Sequence, residues 1–111
     1  MISTEKRDKI DIVTFNVDRI NALITDEIRE EINKLFGNGV SKVILDLSGV
    51  LYIDSSGFGC LLSVMKSARN NYCLLKLANP EPAVMQVLQT LHLHTVFEIY
   101  DDLEACIRSM R

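Results

Sequence analysis

The stretch Lys42-Val43-Ile44-Leu45-Asp46-Leu47-Ser48, followed after five residues by Asp54-Ser55-Ser56-Gly57-Phe58-Gly59, decides the fold of this 111-residue chain. Its Val-Ile-Leu run does not alternate, which is typical of a central strand covered on both faces. After Asp54 the apolar residues recur at helical spacing, so a helix is predicted from Ser55 to Asn70. The core-facing stripe of that helix should be Phe58, Leu61, Leu62, Met65 and Ala68.

On the N-terminal side of this unit, the sequence predicts two strands. Ile2 to Lys6 is a weak strand, and Ile10 to Asn16 is a stronger one that is rich in β-branched residues. Arg7-Asp8-Lys9 lies between them as a turn. Because the connection is so short, we expect an antiparallel hairpin at the edge of the sheet.

A first helix is predicted between the hairpin and the central strand. Thr25 is the expected N-cap, and Ile24, Ile28, Ile32 and Leu35 share one face. The run Gly37-Asn38-Gly39 should stop this helix.

The C-terminal third continues the alternation. Tyr72 to Leu77 is predicted as a buried strand, and Asn79 should cap a third helix that carries Pro80 in its first turn. Val96 to Tyr100 is predicted as the last strand, and Asp101-Asp102 should start a final helix.

The predicted order is therefore ββαβαβαβα. Strands that alternate with helices of this length imply right-handed crossovers and a largely parallel sheet. We expect one α/β domain over residues 1–111, a mixed sheet flanked by helices, because the length suits one domain and no linker or repeat interrupts it.

Composition excludes several classes of partner. The net charge is −3, and no stripe of lysine and arginine could neutralise phosphates, so nucleic acid is not an expected partner. No apolar run approaches the roughly 20 residues that cross a bilayer, and the N-terminus lacks a secretory signal. We therefore expect a cytoplasmic protein with no direct membrane insertion. Cys60, Cys73 and Cys106 are too few and too widely spaced for a disulfide framework, and should be reduced core residues.

The start of the second helix is the segment with chemical character. The first turn of a helix carries unpaired N–H groups and partial positive charge, and it accepts an anion readily. Ser55 and Ser56 stand there beside Gly57 and Gly59, where a kinase could reach a hydroxyl. The simpler interpretation is also open: Asp54 and Ser55 could be only an N-cap, and the glycines could serve only close helix–sheet packing.

Other functional motifs find weak support. A dinucleotide fingerprint would need a third glycine where Leu62 stands, and no Gly-x-x-x-x-Gly-Lys-[Ser/Thr] run exists, so a nucleotide site has only a weak signal and no cofactor is expected. His92 and His94 have no third metal ligand near them in the sequence. No Gly-x-Ser-x-Gly elbow is present, so we do not expect an enzyme.

The run Ile53-Asp54-Ser55-Ser56-Gly57-Phe58-Gly59-Cys60-Leu61-Leu62, together with the preceding strand, resembles the signature of the STAS domain. The resemblance is closest to the bacterial anti-sigma factor antagonist branch, and it extends loosely over nearly the whole chain. In that branch the second serine of the Asp-Ser-Ser-Gly run is phosphorylated by an anti-sigma factor that is also a serine kinase. The resemblance places that role on Ser56.

The resemblance implies a regulatory cycle. The unphosphorylated protein binds the anti-sigma factor and frees the sigma factor, phosphorylation of Ser56 releases it, and a PP2C-type phosphatase resets it. The predicted interface combines the start and one face of the second helix with the loop before the first helix. Its residues are Asp54, Ser55, Gly57, Gly59, Ser63, Lys66, Arg19 and Asn21.

That loop departs from the family pattern. The family's Gly-Arg-Leu-Asp-Ala-like run reads Asp18-Arg19-Ile20-Asn21-Ala22 here. The alternative function is a STAS interaction module that is not phosphorylated, in a lipid-transport, stressosome-like or anion-transport complex.

Overall fold

Strands and helices alternate along the computed structural model, which describes residues 1–37 and 39–111. The strands are β1 (Ile2–Arg7), β2 (Ile10–Phe15), β3 (Arg19–Ile20), β4 (Lys42–Asp46), β5 (Tyr52–Ile53), β6 (Leu74–Ala78) and β7 (Ile99–Tyr100). The helices are α1 (Thr25–Asn33), α2 (Ser55–Asn70), α3 (Pro82–Thr90) and α4 (Leu103–Ser109), and a short 3-10 turn spans Leu93–Thr95.

The main sheet has five strands in the order β1-β2-β4-β6-β7. β1 pairs antiparallel with β2, and the remaining pairs are parallel. The predicted edge hairpin and the mixed, largely parallel sheet are therefore confirmed. After the hairpin, each crossover adds its strand on the same side of the previous one, so the strand order never reverses.

Two apolar cores lie on the two faces of this sheet. One packs alternate residues of the central strands, such as Val43 and Leu45, against α1, α2 and α3. The other packs Ile44 and its neighbours against α4 alone, through Cys106, Ile107 and Met110. The central strand β4 is thus buried on both sides, as its sequence predicts.

Helix α2 has the predicted bounds. Asp54 is its N-cap, and Phe58, Leu61 and Met65 are buried as expected. Leu62 differs from the prediction because it is only partly buried, while Val64 is fully buried in its place. The buried stripe is therefore rotated slightly from the predicted one.

The ends of α1 differ from the prediction. Its N-cap is Ile24, which makes no side-chain capping bond, and Thr25 is the first helical residue and is buried. The prediction of Thr25 as N-cap was wrong because that side chain lies in the fold's interior. The helix ends at Asn33, and a turn then leads to Gly37 at φ +88°. Asn38 lies outside the described residues.

The C-terminal elements are shifted from their predicted starts. Tyr72 has φ 55° and is 94% exposed, so β6 begins only at Leu74. Asn79 does not cap α3, because its side chain instead donates to Asp46 Oδ1 (3.2 Å) and Glu81 is the N-cap. The last strand begins at Ile99 and not at Val96. The amides of Val96 and Phe97 both donate to the carbonyl of Leu93, so these two residues belong to the preceding turn. The predicted start of α4 is confirmed, since Asp102 Oδ1 accepts from Ala105 N.

Two strands were not predicted at all. β3 and β5 form a separate two-stranded parallel sheet, in which Arg19 pairs with Tyr52 and Ile20 with Ile53. Gly57 of α2 packs directly on it. A Cβ at Gly57 would lie 2.5 Å from Ile53 Cγ2 and 2.8 Å from Ile20 O. This small sheet therefore fixes where α2 begins.

Replacement of Gly57 by alanine should destabilise the fold, since the added methyl group has no room against backbone. Overpacking of this kind costs about 1–3 kcal/mol. The matched control is Gly59→Ala, because a Cβ there meets nothing within 4 Å. That variant should gain about 0.5–1 kcal/mol from helix propensity. Urea unfolding of both proteins tests the assignment, and equal stabilities would contradict it.

All three cysteines are free and buried, in agreement with the sequence prediction. Burial raises the pKa of Cys73 to about 11, with a smaller contribution from the charge of Asp11. Burial likewise raises the pKa of Cys106 to about 11. The unfolded chain ionises these thiols near their ordinary pKa of 9.0, so it gains thiolate first as the pH rises.

The thiol contribution to the free energy of unfolding should therefore be constant below pH 9 and be lost between pH 9 and about 11. Urea unfolding at a series of pH values measures this. Cys73→Ala should show a smaller fall across the same window than the native chain. An identical pH dependence in the two proteins would show that the thiol does not contribute.

Candidate functional site

The first turn of α2 is held by Asp54. Its Oδ1 accepts a hydrogen bond from Gly57 N (2.8 Å), and its backbone carbonyl accepts from Phe58 N (3.0 Å). No acidic residue lies in the first turn itself. The Asp54 carboxylate therefore caps one of the orphan amides and offsets part of the positive end of the helix dipole, and no further acid follows within the first turn.

The two serine hydroxyls point into solvent. Ser55 and Ser56 are both exposed, and neither side chain has a hydrogen-bond partner among the described residues. Ser55 does not act as a cap, because Asp54 fills that role. Both hydroxyls are thus sterically available for modification.

The predicted loop lies directly beside this turn. Leu51 N and Tyr52 N donate to Asp18 O at 2.7 and 3.2 Å, and Asp54 N donates to Ile20 O at 3.1 Å. These bonds tie the loop that contains Arg19 to the segment that leads into α2. The structure thereby brings together two predicted parts of the site that are more than thirty residues apart in sequence.

Asn21, which departs from the family pattern, shapes the loop. Its Oδ1 accepts from Leu23 N (3.0 Å), and its carbonyl accepts from Ile24 N (3.1 Å). This is the turn that short polar side chains form with the backbone two residues on. An amide oxygen accepts these bonds as an acid would, but without negative charge. Arg19 is exposed, with only a loose ion pair to Asp18 (3.7 Å).

One strip of α2 continues the surface away from Ser56. Gly59 and Lys66 are exposed and Ser63 is partly buried. Their spacing of three and four residues places them on one face of the helix with Ser56. Gly57 lies apart from this strip, because it is buried against β3 and β5. The prediction of Gly57 as an interface residue is therefore wrong, because this glycine is packed in the interior.

Three exposed apolar residues were missed by the sequence analysis. Leu23 is 91% exposed, Leu51 59% and Tyr52 54%, and all three belong to the two segments that β3 and β5 join. The available signal was their position: each lies in a predicted connection, where large apolar side chains have no core to enter. Large exposed apolar side chains on two adjoining loop segments are typical of a protein-binding surface.

The candidate site is a convex helix start and the loop beside it, away from two concave sites of the described residues. One of these concave sites is lined by residues from Met65 to Glu98, and the other by residues from His94 to Tyr100. Neither includes the first turn of α2. The sheet has no strand-order reversal of the kind that forms nucleotide crevices in α/β folds. The rings of His92 and His94 lie 6.1 Å apart, and within residues 1–37 and 39–111 no group of three residues could hold a metal ion. No helix in these residues is long and apolar enough to span a bilayer.

Comparison with known proteins identifies the family. The family model described as the STAS domain matches residues 1–106. A relative from Thermotoga maritima, provisionally named an anti-sigma factor antagonist, is 28% identical over 79 residues, which cover 71% of this chain and 70% of the relative.

Solved structures share the fold. A STAS domain protein from Planctomyces limnophilus, described as an anti-sigma-factor antagonist, superposes with a TM-score of 0.87 at 21% identity and covers 99% of this chain and 97% of that one. The anti-sigma factor antagonist SpoIIAA in its unphosphorylated form gives a TM-score of 0.78 at 21% identity, with coverage of 99% and 96%. A sulfate transporter family protein from Wolinella succinogenes gives 0.74 at 15% identity, with coverage of 88% and 81%.

The match over nearly the whole chain agrees with the Asp-Ser-Ser-Gly turn, the strand order and the helix arrangement described above. The protein belongs to the STAS domain family.

Proposed function

We propose that this protein is an anti-sigma factor antagonist, which binds an anti-sigma factor with serine-kinase activity through the surface around Ser56. Phosphorylation of Ser56 by that partner ends the complex, and a PP2C-type phosphatase restores it. The chain itself is a kinase substrate and not an enzyme. The observation that carries the proposal is an exposed, unbonded serine hydroxyl on the first turn of α2, in a fold shared with proteins of that name.

The chemistry of the surface supports a switch by phosphate. A phosphoserine carries about −1.5 to −2 charges at neutral pH. The amide end of α2 attracts this charge, although the Asp54 carboxylate at the N-cap adds a like charge nearby. A partner that covers Leu51 and Tyr52 would instead have to desolvate a dianion within an apolar contact. Phosphorylation should therefore leave the fold intact and weaken the complex.

The choice between the two serines depends on the family resemblance. Ser55 is nearer the N-cap, but Asp54 alone caps the helix and both serine hydroxyls are exposed, so exposure does not separate them. Ser56 shares its helix face with Gly59, Ser63 and Lys66, which favours it as the serine at the centre of a docking surface. The interface proposed here consists of this strip, Asp54 and Ser55, the loop with Arg19 and Asn21, and the apolar trio Leu23, Leu51 and Tyr52.

A second candidate function is a STAS module that binds its partner without being phosphorylated. The fold likeness to a sulfate transporter family protein supports this class. The neighbouring genes discriminate between the two: a kinase-type anti-sigma factor gene favours the first proposal, and transport genes favour the second.

Phosphate transfer should be confined to Ser56. Incubation with ATP and the kinase encoded beside this gene, followed by mass spectrometry, should place one phosphate on Ser56 and none on Ser56→Ala. Ser56→Ala should bind the partner constitutively, and Ser56→Asp should bind it poorly. Both variants should keep the native stability within about 0.5 kcal/mol, because the side chain is exposed.

Ser55→Ala is the matched control and should be phosphorylated like the native chain. Undiminished phosphate on Ser56→Ala would assign the switch to another residue. Absence of phosphate with a kinase that binds the protein would favour the non-switching module.

Truncation of Leu51 should weaken the anti-sigma factor complex about five- to tenfold, as expected for an apolar anchor at an interface. Leu91→Ala is the control, since Leu91 is 50% exposed against 59% for Leu51 but lies at the end of α3. Isothermal titration of the unphosphorylated proteins measures both. Equal affinities would exclude the apolar trio from the interface.

A further inference from the structure

The outer edge of β6 is only half covered. β7 pairs with β6 at Leu77 and Ala78 alone. Leu74 N donates across to Ser41 on the β4 side, whereas Leu77 N donates to Glu98 O on the β7 side. Because successive residues of a strand face opposite edges, the amide and carbonyl of Leu75 also point to the β7 side. Within the described residues the Leu75 amide has no hydrogen-bond partner there.

A cavity of about 150 Å³ opens at this uncovered edge. It is lined by five apolar residues and two charged ones, namely Met65, Cys73, Leu74, Leu75, Val96, Arg69 and Glu98. We call these seven residues the edge notch. Within it Leu74 is 45% exposed, and Tyr72 is 94% exposed on the adjoining turn. A cavity of this size holds a group about as large as benzene.

The two charged residues of the notch differ. Glu98 is engaged, since its Oε2 accepts from Lys76 Nζ (2.8 Å) and from Tyr100 OH (3.2 Å). The guanidinium of Arg69 has no ion-pair partner within the described residues, although it stands beside an apolar cavity. Because Lys76 compensates the charge of Glu98, Arg69 is the unpaired charge of the notch within the described residues, and it attracts negative charge in a ligand.

We propose that the edge notch binds an extended peptide segment, which adds as a short strand to the uncovered edge of β6. The backbone of the peptide would pair with the free amide and carbonyl of Leu75, as in other cases of strand addition to a sheet edge. One aliphatic side chain would enter the cavity, and an acidic residue two positions away, on the same face of the peptide, would meet Arg69. This site is separate from the Ser56 surface and does not depend on phosphorylation.

Selection of a phage-displayed random heptapeptide library on the immobilised full chain tests the proposal. Selected peptides should share an aliphatic residue with aspartate or glutamate two positions away. Titration of one such synthetic peptide into ¹⁵N-labelled protein should shift the Leu75 amide resonance and slow its hydrogen exchange. Arg69→Glu should weaken binding about tenfold, because attraction becomes repulsion.

Two controls separate the notch from general charge effects. Arg108→Glu makes the same charge change on α4 and should bind the peptide like the native chain. N-methylation of the peptide at the residue that pairs with Leu75 should abolish binding, because it removes the N–H that donates to the Leu75 carbonyl. Val96→Asp, at a residue that is 39% exposed, should also abolish binding without unfolding the protein.

Three results would overturn the proposal. Selection could return no peptide that perturbs Leu75, or the selected peptides could bind equally well to Arg69→Glu. Self-association of the native chain that Arg69→Glu removes, measured by sedimentation, would assign the edge to a second copy of the protein.

Discussion

The close contact of Gly57 with the β3–β5 pair is the constraint on which the site depends. Two strands of two residues each have little stability of their own, and they are held by α2, which cannot approach unless position 57 lacks a side chain. That approach places the loop of Arg19 beside the first turn of α2. Without it, the predicted partner residues on the loop and on α2 would not share one surface.

The same contact separates buried from exposed positions along the turn. Gly57 and Phe58 face inward, so the preceding serines must face outward. Asp54 satisfies the Gly57 amide and releases Ser55 and Ser56 from any capping role. The turn thus keeps its conformation through one carboxylate, and a modified serine would change the charge of the surface without removing a bond that holds the helix.

Long, periodic elements could be predicted from the sequence, and short ones could not. The bounds of α2 followed from its Asp54 cap and its apolar spacing, and β4 followed from its unbroken apolar run. β3 and β5 have no such signal, because two residues show no period and their pairing is a tertiary contact. The prediction of Asn79 and Thr25 as caps was wrong for two reasons that residue type does not reveal. The Asn79 side chain bonds to Asp46 instead, and the Thr25 side chain is buried in the core.

For the candidate site, the motif located the serines, but the apolar trio required three-dimensional information. Leu51 follows the fully buried Val50 without any change of hydrophobicity, so nothing in the sequence says which of the two faces solvent. The direction of the Leu51 side chain is set by the backbone. The amides of Leu51 and Tyr52 donate to Asp18 O, and these bonds place the segment alongside β3. Side-chain direction in a short connection is thus decided by its backbone partner.

Ser56 and Arg69 lie near opposite ends of one helix, although the strip that begins at Ser56 extends to Lys66, within one turn of Arg69. Ser56 and Arg69 are thirteen residues apart on α2, which corresponds to about 20 Å at the helical rise. This separation exceeds two Debye lengths at physiological salt, about 8 Å each. A phosphate on Ser56 would therefore be screened from Arg69. Because α2 is also packed rigidly on the sheet through residues such as Val64 and Ala68, neither surface needs to move for the other to be occupied. The proposed phosphate on Ser56 and a peptide bound at Arg69 would accordingly not influence each other through charge, whereas a partner that covered Lys66 would lie within one helical turn of that peptide.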